Sequence, residues 1–561
     1  MKKKRGYLFI MLMFCFFLFA CIYHYQKKQN LSQCFLSNVY IDEIKDDYLV
    51  VFQNGKKKKF FVKDAATKEK NCFADIWVEG TNAVKIKLKP ESIIGKIIKI
   101  AGQVIELDGY GECIIQKNAV FYEKGSMKEV PKKDLHVGKR GIRFYFENGK
   151  ICGGIIDEDE KMQQIRVLIS TSNYKGRYHN KLVFTANGEY EIKARDKTER
   201  KKANEIVTIQ KDSEYFKKSN WIRIQCEKQT DGIILKNVQR GEKNEPYLGT
   251  LYLRKNKKGI SVINELDLEE YLPYVLCSEI SDSYEMEALK AQAICIRTYA
   301  LKQMENGAKE YEAYGANLDD SVMSQVYHNY APRKRVREAV KETMGMAIYY
   351  RDKPIQAYFF STSCGVTSDA SIWKKKGEPY IKGKKLGKEI RGDLTREKEF
   401  SKFIKNDFDA YDSMQPFFRW RTVWEKDALQ KKLEMQYRIK VGKIQRIQVQ
   451  KRGTNGILEQ IKIIGKSNSI KIKGELEIRK SLLLENQEIC LKDGSKRTAQ
   501  ALAMLPSAYL SFENKKEKIY GYGGGYGHGV GVSQNAMNQM AKEGKKADEI
   551  LEFFYDGIEI K

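Results

Sequence analysis

Residues 269–301, EEYLPYVLCSEISDSYEMEALKAQAICIRTYAL, place a glutamate in an apolar run directly before the clearest helix signal of the chain. After residue 285, apolar side chains recur every three or four positions, as the buried face of a helix requires. Ser281, Asp282 and Ser283 are all favourable N-cap residues, so the pattern predicts a helix that follows them and ends near Met304. The predicted core stripe is Met286, Leu289, Ala293, Ile296 and Ala300.

Glu279 is the candidate proton donor of this stretch. It follows the apolar run 275–277, and apolar surroundings disfavour a carboxylate and raise its pKa. The predicted helix start acts in the opposite direction, because a helix N-terminus favours negative charge. Lys290 and Arg297 are seven residues apart, close to two helical turns, so they share one face of the predicted helix. The alternative is that Glu279 caps the helix and both cations are solvated.

A second candidate region is the glycine-rich stretch GYGGGYGHGVGVSQNAM, residues 521–537. Glycine lets a ligand approach the backbone closely, so Tyr526 and His528 are candidate sugar contacts. Ser533 and Gln534 open a predicted helix over 533–542, and a helix N-terminus suits anionic groups. No Gly-Lys-Ser/Thr sequence follows, which excludes a P-loop. The alternative is a glycine-rich turn with a structural histidine.

A third candidate region is AYFFSTSCGVTSDASIW, residues 357–373, where a strand pattern runs into consecutive hydroxyl side chains. Ser361, Thr362 and Ser363 are therefore candidate sugar-binding residues. The same three residues are also typical of a turn, because short hydroxyl side chains hydrogen-bond to neighbouring backbone groups. Both interpretations stay open at this point.

Antiparallel strands are predicted through most of the chain. Asn-Gly pairs stand between alternating apolar runs at 54–55, 148–149, 187–188 and 455–456, the strongest short-range signal of a β-hairpin. One further helix is predicted over 335–343. The fold class expected is α+β and rich in antiparallel strands, with a β-rich accessory domain over 30–160 and a separate domain over 161–561.

The N-terminus predicts a membrane anchor. Basic residues 2–5 precede an uncharged apolar stretch from Tyr7 to Tyr25, long enough to cross a bilayer, and their charge places the N-terminus inside the cell. Residues 1–29 are therefore expected to anchor a body on the cell-wall side. A cleaved signal peptide, or lipidation at Cys21, is the alternative. The formal net charge of +28 favours anionic partners, and outside the membrane these are wall polymers rather than nucleic acid.

The motifs resemble the SpoIID/LytB family. YLPYVLCSEISDSYEMEALKAQAICIRTYAL, SQVYHNY, AYFFSTSCGVTSDASIW, PFFRWRTVW, GYGHGVGVSQNAM and EILEFFYDGIEI occur in the family's order, over roughly residues 160–561. The resemblance implies a lytic transglycosylase that cleaves peptidoglycan between N-acetylmuramic acid and N-acetylglucosamine, with Glu279 at the position of the catalytic glutamate. Cys277, Ile280 and Ser281 depart from the family's pattern around that residue.

The resemblance also implies roles for the other candidates. Tyr526 and His528 would contact the sugar, and Lys290 and Arg297 would orient the acid or a muramic carboxylate. No cofactor is expected. No zinc is expected in the loop 316–323, because it lacks the cysteines that some relatives use there.

Two other functions stay open. Some relatives enhance a cell-wall amidase without cleaving glycan, and a polycationic wall-binding scaffold would need no activity. The process, sporulation or vegetative wall remodelling, is open as well.

Overall fold

The computed structural model describes residues 34–45, 47–62, 69–157, 164–195, 197–240, 244–306, 309–374 and 376–561. The predicted membrane anchor, residues 1–29, lies outside these ranges. Within them, no helix is both long and apolar enough to cross a membrane. The described residues are a strand-rich mixture of strands and helices, in agreement with the predicted α+β class.

The chain divides into two compact units. Of the described residues, those up to Arg166 together with Met304–Asn317 form the first unit, and those in Val167–Gln303 and Leu318–Lys561 form the second. The predicted division into an accessory domain over 30–160 and a separate domain over 161–561 that resembles the SpoIID/LytB family stays a prediction.

The first unit contains a closed five-stranded barrel and a seven-stranded sheet. The strands are β1 (Cys34–Lys45), β2 (Tyr48–Gln53), β3 (Lys56–Phe61), β4 (Cys72–Glu79), β5 (Asn82–Lys89), β6 (Ser92–Gly95), β7 (Ile97–Ala101), β8 (Val104–Leu107), β9 (Gly111–Glu123), β10 (Glu129–Val130), β11 (Ile142–Glu147) and β12 (Lys150–Ile156). The barrel order is β1-β2-β3-β5-β4, and the sheet order is β6-β11-β12-β9-β8-β7, with β10 paired to β9.

The strands from residue 164 onward form several further sheets. They are β13 (Gln164–Ile169), β14 (Lys181–Ala186), β15 (Tyr190–Ala194), β16 (Lys197–Lys201), β17 (Val207–Gln210), β18 (Trp221–Cys226), β19 (Ile233–Leu235), β20 (Thr250–Asn256), β21 (Gly259–Asp267), β22 (Leu318–Asp319), β23 (Ile348–Tyr350), β24 (Lys353–Pro354), β25 (Phe359–Phe360), β26 (Trp420–Glu425), β27 (Ile444–Arg452), β28 (Leu458–Gly465), β29 (Ser469–Lys473), β30 (Glu488–Leu491), β31 (Lys496–Thr498), β32 (Leu510–Asn514), β33 (Lys518–Gly523), β34 (Val532–Ser533) and β35 (Glu559–Ile560). The sheet orders are β16-β15-β18-β20-β21-β13-β22, β17-β14-β19, β24-β23-β35, β25-β34, β31-β30-β26-β33-β32 and β27-β28-β29.

Three of the four predicted hairpins are confirmed. The Asn-Gly pairs 54–55 and 148–149 join β2 to β3 and β11 to β12, and all four residues have positive φ, as a two-residue type I′ turn requires. The pair 455–456 lies in the longer connection between β27 and β28. The hairpin predicted at 187–188 is wrong, because β14 and β15 enter different sheets.

The described helices are fewer than the described strands, and all but one of them are short. They are α1 (Leu268–Glu279), α2 (Met286–Asn306), α3 (Lys309–Glu312), α4 (Lys334–Glu342), α5 (Glu397–Lys405), α6 (Lys426–Tyr437), α7 (Glu475–Leu482), α8 (Gln534–Lys542) and α9 (Ala547–Phe554). The predicted helices over 335–343 and 533–542 are confirmed as α4 and α8, within a residue at each end, and the long central helix is α2. Helix α2 is buried on nearly every side over 291–298 rather than along one stripe. Its predicted N-cap is wrong, because the helix begins after Glu285.

Candidate functional site

Glu279 is the last residue of α1, so its position is set by how that helix begins and ends. Strand β21 runs directly into the helix, and the Asp267 carboxylate caps it by accepting the Glu269 N–H at 2.8 Å. The helix stops where Ile280 adopts extended backbone. The C-terminal end of a helix disfavours negative charge. The helix end nearest to Glu279 therefore disfavours its negative charge, whereas the helix start expected from the sequence would have favoured it.

Glu279 is half-buried, and its carboxyl carries no ion pair within the described part of the chain. Burial raises its pKa to about 7, and the hydrogen bond from the Val326 N–H to Oε1, at 2.7 Å, opposes that shift only in part. The Gln534 side-chain amide also faces the carboxyl and lowers its pKa, without forming a hydrogen bond of ordinary geometry. A carboxyl of this kind holds a proton for much of the time at neutral pH.

The segment Ser324–Tyr330 lies along the end of α1 and fixes it. Besides the Val326 bond, the His328 N–H donates to Ser278 Oγ at 3.1 Å. The Gln325 side chain accepts from the Tyr271 hydroxyl at 3.3 Å and donates to the backbone of α2. The sequence showed this segment only as a motif and assigned none of its residues a role. The sequence signal for this segment is the group of ring-bearing residues Tyr327, His328 and Tyr330 just after Gln325.

Helix α8 brings the glycine-rich region to the acid. Gln534, its first residue, lies beside Glu279. The next residue, Asn535, donates from its backbone to Ser361 O at 3.0 Å and from its side chain to Thr362 Oγ1 at 2.9 Å. Thr362 in turn exchanges backbone hydrogen bonds with Tyr526, at 2.7 and 3.1 Å. The predicted residues Ser361, Thr362, Tyr526 and Gln534 therefore belong to one connected arrangement with the acid.

Asp412 is a buried carboxyl that the sequence did not single out. It accepts hydrogen bonds from the hydroxyls of Ser363 and Ser533, the latter at 3.0 Å. Burial raises its pKa to about 7, while these two bonds lower it. Ser363 and Ser533 are almost fully buried, so they hold the strand end against the start of α8 instead of facing a ligand as predicted.

His528 is half-buried and is held by contacts within the protein. Its Nδ1 accepts the Val530 N–H at 3.1 Å, and its ring contacts Trp373 and Phe360 at centroid distances of 5.0 and 5.6 Å. Burial lowers its pKa to about 3, so the imidazole is neutral at physiological pH. Tyr526 stacks on Phe417 at 4.5 Å. The structure records no contact of His528 with Glu279 in the described ranges.

The two predicted cations are not brought to the acid. Arg297 is buried and makes a bidentate ion pair with Glu269, with Nε to Oε1 at 2.7 Å and Nη2 to Oε2 at 2.8 Å. Lys290 pairs with Glu287 at 3.0 Å and with Glu342 at 2.7 Å. Both cations are therefore held in ion pairs with carboxylates of the protein itself, instead of being placed beside Glu279 as predicted.

No group of three or more His, Cys, Asp or Glu side chains that would hold a metal ion occurs in the ranges that the structure covers. In the loop 316–323, Asp320 is held by Arg240 in a buried ion pair. The expectation that this loop holds no zinc stays a prediction.

A desolvated carboxyl at a helix end, close to an amide and to a hydroxyl-rich strand end, defines a candidate acid–base site. Residues 256–350, which contain this carboxyl, match a family model described as Stage II sporulation protein, SpoIID. Residues 367–531, which contain Asp412 and Tyr526, match a domain of unknown function, DUF8618.

Similarities to known proteins over about half of the chain agree with the first match. The chain is 27% identical over 312 residues to stage II sporulation protein D of Bacillus subtilis strain 168, covering 53% of this chain and 75% of that protein. The protein of the same name from Bacillus amyloliquefaciens is 28% identical over 310 residues, with the same coverages of 53% and 75%. An amidase enhancer of Bacillus subtilis strain 168 is 25% identical over 296 residues, covering 50% of this chain and 39% of that protein. Residues 256–350 therefore carry a SpoIID domain, and the resemblance to the SpoIID family predicted from the sequence is confirmed.

Proposed function

We propose that this protein is a peptidoglycan lytic transglycosylase whose single proton donor is Glu279. The SpoIID match and the similar proteins support a role in sporulation or in the bacterial cell wall. The observation that supports glycan cleavage is the Glu279 carboxyl itself, which has a pKa of about 7, accepts the Val326 N–H and carries no ion pair in the described ranges. Such a group is protonated often enough at neutral pH to act as a general acid.

One carboxyl is sufficient for this chemistry. Glu279 gives its proton to O4 of the departing N-acetylglucosamine as the bond from C1 of the muramic residue to O4 breaks. The C6 hydroxyl of the same muramic residue attacks C1, forming the 1,6-anhydro ring, and its proton passes to the Glu279 carboxylate. The acid is thus regenerated, and no water or second carboxylate enters, in contrast to ordinary glycosidases. An attacking hydroxyl on the same sugar also has a high effective concentration.

The proposal includes location and partners. Residues 1–29 anchor the chain in the cell membrane with its N-terminus inside, and the body meets peptidoglycan glycan strands on the wall side. The basic residues before the apolar stretch support this orientation. The net charge of +28 supports attraction to an anionic wall.

The test is digestion of purified, peptide-stripped glycan strands, with detection of anhydromuramic ends. We expect wild type to release them and Glu279→Gln to lose at least ~100-fold in rate, the lower range of a general-acid contribution. Glu285→Gln, which changes an exposed glutamate nearby, is the matched control and should match wild type. Full activity of Glu279→Gln would remove this residue from the mechanism.

An amidase-enhancing role is the second candidate, favoured by the similarity to the amidase enhancer. An enhancer would release no anhydromuramic ends from stripped strands. It would instead raise the rate at which a wall amidase cleaves intact peptidoglycan, and Glu279→Gln would leave that effect unchanged.

A further inference from the structure

Three aromatic side chains that had no role predicted from the sequence meet beside the end of α1. His328 and Tyr330 stack with their ring planes 13° apart and their centroids 4.9 Å apart. The Tyr174 hydroxyl lies 2.8 Å from His328 Nδ1. Tyr330 is 39% exposed, so the stacked pair presents an aromatic surface to solvent.

This aromatic surface is attached directly to the acid site. The backbone of His328 is bonded to Ser278 Oγ, and the backbone of Val326, two residues earlier, is bonded to Glu279 Oε1. Tyr330 follows two residues after His328. The stacked rings and the carboxyl therefore depend on the same short segment and the same helix end.

The imidazole of His328 is a neutral hydrogen-bonding group. Burial lowers its pKa, so the ring is uncharged at neutral pH. Its Nδ1 shares a hydrogen bond with the Tyr174 hydroxyl, and the tautomer of the ring sets which of the two atoms donates. The other ring nitrogen, Nε2, takes the complementary role toward a ligand.

A buried ion pair holds Tyr174 in place. The guanidinium of Arg240 lies 4.4 Å from the centre of the Tyr174 ring and pairs with Asp320, and both charged side chains are almost fully buried. Tyr174 also has a φ of 56°, in the left-handed region that side-chain-bearing residues seldom occupy. Such strain costs about 1–3 kcal/mol and persists where the surroundings enforce it, most often at functional sites.

We propose that His328 and Tyr330 form a glycan subsite that binds one pyranose ring of the strand next to the bond that Glu279 cleaves. The flat carbon face of a sugar packs on an aromatic surface, and a sugar hydroxyl or acetamido group forms a hydrogen bond with His328 Nε2, as donor or acceptor according to the tautomer. An uncharged site of this kind suits a neutral N-acetylated sugar. The inference rests on the proposed function for its substrate class, and it adds the residues that hold the strand.

The test measures binding separately from cleavage. In the Glu279→Gln background, the affinity for a soluble tetrasaccharide of alternating N-acetylglucosamine and N-acetylmuramic acid is measured by calorimetry. Tyr330→Ala should weaken that affinity about tenfold, the value of roughly 1.4 kcal/mol of stacking. Tyr110→Ala, which removes a tyrosine that is 51% exposed in the first unit, should leave it unchanged. Melting curves of both variants verify that each is folded.

In the active background, Tyr330→Ala should raise KM about tenfold and change kcat by less than about twofold, because it removes binding and not proton transfer. Equal affinities of Tyr330→Ala and its parent would overturn the subsite. So would a loss in kcat alone. If the tetrasaccharide binds through Tyr330 but wild type never cleaves glycan, the subsite stands and the proposed activity fails.

Discussion

At the scale of single residues, the properties of Glu279 follow from its neighbours more than from its own sequence position. The apolar run before it correctly indicated a raised pKa. The predicted helix-start effect did not apply, because an unpredicted helix ends at this residue and the next helix begins only after Glu285. Pro273 in the middle of α1 hid that helix from pattern analysis, since proline ordinarily breaks helices.

Arg297 shows why a charge on a helix face is hard to interpret from sequence. The structure buries it against Glu269, so we expect Arg297→Ala to leave a partly buried carboxylate unpaired and to lower the free energy of unfolding by roughly 3–5 kcal/mol. Lys290→Ala removes a more exposed pair and should cost about 0–1 kcal/mol. Urea denaturation of both variants measures the difference.

One outcome would contradict a purely structural role of Arg297. If Arg297→Ala were as stable as wild type but bound glycan strands more weakly, the original prediction of a substrate-binding arginine would be restored.

At the scale of elements, the glycine-rich stretch before α8 is shaped by close packing of backbone. Gly531 has a φ of 78°, and a Cβ at this position would lie 1.9 Å from the Tyr358 carbonyl oxygen. The same oxygen accepts the Val532 N–H at 3.0 Å, as β34 pairs with β25. The sequence predicted correctly that backbone freedom is needed here. The predicted reason was the close approach of a ligand, but at Gly531 the group that approaches the backbone is the Tyr358 carbonyl of the protein itself.

This packing gives a prediction with a matched control. Gly544 has a similar φ of 87°, and a Cβ added there would meet nothing within 4 Å among the described residues. Gly544→Ala should therefore cost only the left-handed strain, roughly 1–2 kcal/mol. Gly531→Ala adds a steric clash and should cost at least about 2 kcal/mol more. Thermal and urea unfolding compare the two, and equal losses would contradict the packing argument.

Local turn chemistry was the most predictable feature among the elements. At 54–55, 148–149 and 455–456, an Asn-Gly pair lies between two consecutive strands that pair with each other. At 187–188 it failed, because Asn187 instead accepts the Gly232 N–H through its side chain and β14 pairs with β17 and β19. Which sheet a strand enters is a long-range choice, and a turn motif does not encode it.

At the scale of the whole molecule, the candidate site is assembled within the second unit from stretches far apart in sequence. Hydrogen bonds join the end of α1 to the segment 324–330 and the strand end at 361–363 to the start of α8, and Gln534 faces Glu279 between the two. Asp412, from the region that matches a domain of unknown function, ties two of them together. Motif order predicted most of these pieces. Their contacts, and the roles of Asp412, His328 and Tyr330, depend on tertiary packing that a single sequence does not display.

The pH dependence of kcat/KM for release of anhydromuramic ends, measured from about pH 5 to about pH 9, shows most directly whether Glu279 is the general acid. Glu279 donates only while protonated, and its pKa is about 7. The rate of wild type should therefore be highest on the acid side and fall as pH rises through about 7, while Glu279→Gln stays inactive throughout. A wild-type rate that is constant or rises across this range would contradict the assignment of Glu279 as the acid.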